Sequence, residues 1–81
     1  ENIDEIVENV HGALRDHYEA GRKEVLYREI DGTGGSRVET FLGLLFLAHR
    51  GQVRLRQDEV FGDLWIQDPN AVPGPGEAVA D

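Results

Sequence analysis

The residues with most capacity for chemistry are three histidines, sixteen carboxylates and one glycine-rich loop. His11 and His17 stand six positions apart, a spacing that does not bring them onto one helical face for metal ligation. Together with His49 they read as surface or boundary residues. The carboxylates fall on the polar faces of helices, where solvation accounts for them without acid–base catalysis. Asp31-Gly32-Thr33-Gly34-Gly35 precedes a helix, the setting of an anion cradle. It lacks the Gly-Lys-Ser/Thr ending of a phosphate-binding loop and carries a carboxylate of its own. The absence of cysteine excludes disulfides, thiolate metal sites and cysteine nucleophiles. No nucleophile is paired with a base, so the expectation is a protein that is not an enzyme and needs neither metal nor cofactor.

Eighty-one residues allow one small domain with a thin core, burying about 60% of the surface its unfolded chain would expose. Sixteen acidic residues against eight basic ones leave a net charge of −8, and Lys23 is the only lysine. A protein that grips duplex DNA by itself must neutralise phosphates with Lys and Arg. The field of this chain should instead repel nucleic acid and anionic lipid. No apolar run approaches the roughly 20 residues needed to span a bilayer, and no signal-peptide pattern opens the sequence. The expected location is the cytoplasm.

These side chains need elements to position them. Ile3, Ile6, Val7, Val10, Ala13, Leu14 and Tyr18 recur at spacings of three and four, which predicts an amphipathic helix with Asp4, Glu5 and Glu8 at its start and Gly21 as its stop. A brief strand at Glu24–Val25 and a short helix from Leu26 to Ile30 follow, ended by the glycine loop. Ser36-Arg37-Val38-Glu39 has the capping-box pattern and opens a long helix to Arg50, closed by Gly51. Val53 to Gln57 and Leu64 to Ile66 alternate, with Asp58, Glu59 and Gly62 between them, which predicts a β-hairpin wing. The fold class is therefore α+β: a winged helix-turn-helix with three helices, a small antiparallel sheet and a wing hairpin, spanning residues 1–67. Residues 68–81 form a Pro/Gly-rich tail expected to lack order.

The long helix is apolar almost all the way round. Val38, Phe41, Leu42, Leu45 and Ala48 predict its core stripe. Thr40, Gly43, Leu44 and Leu47 make a second stripe, extended by Phe46, with Phe41 at the seam. A domain this small has little left to cover a second face, and an uncovered apolar patch suggests a partner site. Gly43 would allow close backbone approach. The competing reading packs Leu44 and Leu47 under the first helix or the tail. On the wing, Arg54 and Arg56 point away from Val53 and Leu55. Trp65 is placed to meet those arginines in cation–π contact, either as a self-contained surface cluster or as a second docking element. Phe61 is expected to tuck against the domain.

The stretch TFLGLLFLAHRGQVRLRQDEVFGDLWI, Thr40 to Ile66, resembles the C-terminal domain of bacterial kleisins, the segregation and condensation protein A family. The resemblance lies in Thr40-Phe41-Leu42-Gly43-Leu44-Leu45, then Gly51, Val53 and Gln57, then Phe61-Gly62-Asp63-Leu64, with a weaker likeness over Arg22 to Ile30. The ordered set, about two thirds of the chain, is more specific than any one element. Phe46 stands where the family usually has an acidic residue and Val60 where proline is common, which bears on the partner surface more than on the fold.

The resemblance implies a winged helix that docks on one ATPase head of an SMC (structural maintenance of chromosomes) dimer. It also implies membership of a larger complex with a second segregation and condensation subunit, nucleoid-associated through that complex. A separate N-terminal kleisin domain engages the other head's neck, so this part alone binds a head without closing the ring. Thr40, Phe41, Gly43, Leu44, Phe46, Leu47, Arg54 and Arg56 are the partner-binding residues expected, with no direct DNA binding and no membrane contact. Two alternatives stay open: a DNA-binding regulator of the same fold, which needs base-reading residues on the exposed helix, and a homodimerisation module.

Overall fold

A computed structural model describes residues 2–71. The chain runs α1 (Ile3–Glu19), β1 (Glu24–Leu26), α2 (Tyr27–Ile30), α3 (Arg37–His49), β2 (Arg54–Arg56) and β3 (Trp65–Gln67). Three helices and a three-stranded antiparallel sheet of order β1-β3-β2 make the α+β winged helix-turn-helix that the periodicity predicts. In register, Val25 and Leu55 flank Ile66, while Arg54 and Glu24 flank Gln67. Strand alternation therefore turns Val25 and Ile66 into the core and puts Arg54, Arg56, Trp65 and Glu24 on the opposite face.

Local chemistry sets the boundaries. The Asn2 side chain accepts from the Asp4 N–H at 3.0 Å, and Gly21 takes φ +96 just past the end of α1. At α3 the Ser36 hydroxyl accepts from the Glu39 N–H at 3.1 Å while the Glu39 carboxylate accepts from the Ser36 N–H at 2.9 Å. Both halves of the expected capping box are present. Glu29 holds the short α2 to its surroundings: its carboxylate accepts from the Leu26 N–H at 2.9 Å and pairs with both terminal nitrogens of Arg22.

The core is built where α1, α3 and the sheet converge, from Val7, Val10, Leu14, Val25, Ile30, Leu44, Leu47, Val53 and Ile66. The α1 stripe faces inward as its spacing predicts. At the other end, the Asp68 N–H still donates to the Lys23 carbonyl at 3.0 Å, and a turn closes from Asp68 to Ala71. The described residues run four past the expected boundary at 67; the rest of the expected tail, 72–81, lies outside them. Among the described residues no helix is long and apolar enough to cross a membrane.

Candidate functional site

α3 presents two apolar stripes, and the structure assigns them the reverse of the expected roles. Thr40, Gly43, Leu44 and Leu47 are buried, with Thr40, Leu44 and Leu47 entirely inaccessible. They pack under α1, as the competing reading had it, and cannot meet a partner in the folded domain. The expected core residues Val38, Phe41, Leu42 and Leu45 are instead exposed. Ala48 alone of that stripe packs against the core.

Fit explains the reversal. A Cβ on Gly43 would come within 3.0 Å of Ile6 Cγ2 and 3.3 Å of Val10 Cγ2, so the missing side chain is what lets α1 lie this close. The close approach expected of Gly43 is real, but α1 makes it. Thr40 supplies the second reason. Its Oγ1 accepts from the Gly32 N–H at 3.1 Å and the Gly34 N–H at 3.0 Å, and donates to the Ser36 carbonyl at 2.9 Å. The glycine loop is thus folded onto a buried hydroxyl that satisfies two backbone donors. A Cβ at Gly34 would lie 3.0 Å from Thr40 Cα and 3.1 Å from Ile6 and Val10 methyls, so this loop is a packing joint between helices and not an anion cradle.

The outer stripe is the candidate site. Val38, Phe41, Leu42, Leu45 and Phe46 form one contiguous apolar face, and a shallow open depression of about 190 Å³ lies among Leu42, Leu45, Phe46 and His49. Phe41 and Phe46, expected at a partner face, lie on this exposed apolar face. Val38, Leu42 and Leu45 belong to it as well and were missed, because their spacing suited the core equally. The signal that separates the stripes is size: close packing against α1 requires the small residues Thr40 and Gly43 inside. The ends of the face are fixed by neighbours. Tyr27 meets Phe41 edge to face at 6.0 Å and donates its hydroxyl to the Arg37 carbonyl at 3.0 Å. The Arg50 guanidinium lies over the Phe46 ring at 6.0 Å, and Arg37 Nε donates to Asp31 at 3.0 Å.

The wing arginines have a different environment. Arg56 lies over Trp65 at 5.3 Å, donates from Nε to Glu24 at 3.0 Å and pairs with Asp58. Gln67 Nε2 donates to the same Glu24 oxygen at 3.0 Å, and that bond, with the Arg56 pair against a desolvation cost, holds the Glu24 carboxyl below its ordinary range. Arg56 is thus committed to an intramolecular cluster, the plainer of the two readings. Arg54 stands on the same sheet face opposite Gln67. At the tip, Phe61 is not tucked in: it is 99% exposed, with φ +63.

Among the described residues no three His, Cys, Asp or Glu side chains are grouped to hold a metal ion. The geometry offers an exposed apolar face on a helix, with Arg37 and Arg50 at its ends, in an acidic domain. No family model, curated protein or solved structure matches this chain.

Proposed function

We propose that the chain is the C-terminal winged-helix domain of a bacterial kleisin, which docks on the ATPase head of an SMC protein through the outer face of α3. It acts as a binding module and not as an enzyme, in the cytoplasm, within a complex that also holds a second segregation and condensation subunit. Any influence on ATP hydrolysis is exerted on the partner's site.

The observation that carries this reading is the stripe of five large apolar side chains, two of them phenylalanines, on the solvent side of the helix that winged-helix proteins use for recognition. Contiguous exposed apolar surface marks interaction sites, and aromatic residues are enriched at protein interfaces. The same stripe weighs against the DNA-binding reading. A recognition helix needs donors and acceptors for base edges, whereas this face offers hydrocarbon, and the chain's net charge of −8 opposes phosphate binding.

Calorimetric titration against the SMC ATPase head of the same organism tests it, with Leu45→Glu and Phe46→Glu as variants. Both side chains are exposed, so both variants should keep wild-type circular dichroism while losing at least about tenfold in affinity. No binding heat from the wild type at several temperatures, or unchanged affinity in both variants, sinks the proposal. Leu44→Glu would be uninformative here, since Leu44 is fully buried and its loss would report folding.

A further inference from the structure

The large apolar side chains that remain exposed among the described residues fall in two places: five on the outer face of α3 and two, Val60 and Phe61, at the wing tip. The wing tip is a knob. Phe61 is 99% exposed in a left-handed conformation that bulky residues rarely adopt. It is held there by a turn in which the Gly62 N–H donates to the Glu59 carbonyl at 2.9 Å and Gln57 Nε2 donates to the Gly62 carbonyl at 2.9 Å. Strain of this kind persists where surrounding structure enforces it, and it clusters at functional sites. Nothing described within the domain touches the ring to compensate.

The depression among Leu42, Leu45, Phe46 and His49 is the matching hole. The two surfaces also match in charge. The knob stands among Asp58, Glu59 and Asp63. Although Asp58 pairs with Arg56 and Asp63 with Arg28 at 3.8 Å, the tip keeps a net negative charge, whereas the hole is edged by His49 and by Arg50 over the Phe46 ring. We infer that the wing tip of one copy of this chain seats Phe61 in the α3 depression of a second copy, with the net negative tip against the Arg50 edge. The contact is heterologous, knob to hole, and it covers the same face that the proposed head would occupy. Self-association and head docking are then mutually exclusive. The inference stands whether or not that partner is the head, because it concerns the isolated chain.

Sedimentation velocity over a concentration series, at physiological ionic strength and without any partner, tests it on wild type, Phe61→Ser, Leu45→Glu and an equimolar mixture of the two variants. The wild type should associate reversibly, and each variant should weaken association by about tenfold or more. The mixture should recover part of it, since Phe61→Ser keeps an intact hole and Leu45→Glu an intact knob. Three results overturn the inference. One is a wild type that stays monomeric up to about 1 mM. Another is Phe61→Ser associating as well as wild type, which would mean that α3 faces pair with each other. The third is a mixture that recovers nothing. Circular dichroism of both variants separates these results from unfolding, and Phe61→Ser, which keeps the α3 face intact, reports head docking apart from self-association.

Discussion

The two sides of α3 are nearly matched in hydrophobic character, yet one is core and the other is surface. The outer side has the larger residues: Val38, Phe41, Leu42, Leu45 and Phe46 are exposed, while a threonine and a glycine lie inside with Leu44 and Leu47. Apolar content therefore does not decide which way this helix faces. The inner side wins on shape and on hydrogen bonding, since Gly43 admits Ile6 and Val10, and Thr40 satisfies the loop donors. Among the described residues the outer side meets Tyr27 and Arg50 at its ends and otherwise stays exposed, so it is free to be bulky. A small domain can keep a large apolar face in water when its folding energy is concentrated elsewhere.

Adjacent leucines make the sharpest test of that division. Leu44→Ala and Leu45→Ala are the same chemical change one residue apart, at 0% and 43% exposure. Truncating buried Leu44 should cost about 2–5 kcal/mol, against a total of about 4–12 kcal/mol for a domain of this length. At Leu45 the loss should stay under about 1 kcal/mol, because half-exposed atoms leave no cavity. Urea denaturation should show a lower midpoint for Leu44→Ala at similar slope and near-wild-type unfolding for Leu45→Ala. Equal losses at the two positions would mean that the helix is not rotated as described.

Thr40→Val comes next in size. The substitution keeps the shape and removes the hydroxyl, stranding the buried Gly34 N–H and the Gly32 N–H together. An unsatisfied buried donor costs about 1–3 kcal/mol. Thr40→Ser should recover most of the loss, because it restores the acceptor and forfeits only a methyl group. If valine is tolerated, the inner face is held by packing alone and the hydrogen-bonding half of the explanation fails.

The same contrast explains what could be read from the sequence. Element positions were legible because each has a local chemical signature: the Ser36–Glu39 capping box, Gly21 and Gly51 past helix ends, and alternation through Val53 to Gln57 and Leu64 to Ile66, where β2 and β3 form. Trp65 beside Arg56 was legible for the same reason, since strand alternation fixes which side chains share a face. The orientation of α3 was not. Periodicity says which residues lie together, and with apolar residues on both stripes it cannot say which stripe faces α1. That depends on the tertiary fit of Gly43 against Ile6, which no spacing within α3 encodes. Phe61 was misjudged on similar grounds: an aromatic residue is usually worth burying, and only the backbone at the tip reveals that it points outward.

The smallest effect concerns the charged surface opposite in kind to the inner face of α3. Hydrogen bonds from Arg22 and then from the Leu26 N–H hold the Glu29 carboxyl at about 2, below its ordinary 4.5. Because the folded-state pKa is the lower one, the unfolded chain takes up the proton first as the solution is acidified. The stabilisation from Glu29 is therefore complete above about 4.5 and is lost as pH falls toward about 2. Glu29→Gln should remove that component, so the stabilities of variant and wild type converge across this window. At neutral pH the variant should lose little, since exposed ion pairs contribute little in water. Denaturation curves at several pH values would measure both. A neutral-pH loss as large as that of Leu44→Ala would move the seat of stability from the inner face of α3 to the clamp joining the end of α1 to α2. The freedom of the outer face to stay exposed and apolar would then need another explanation, because that freedom rests on the inner face carrying the fold.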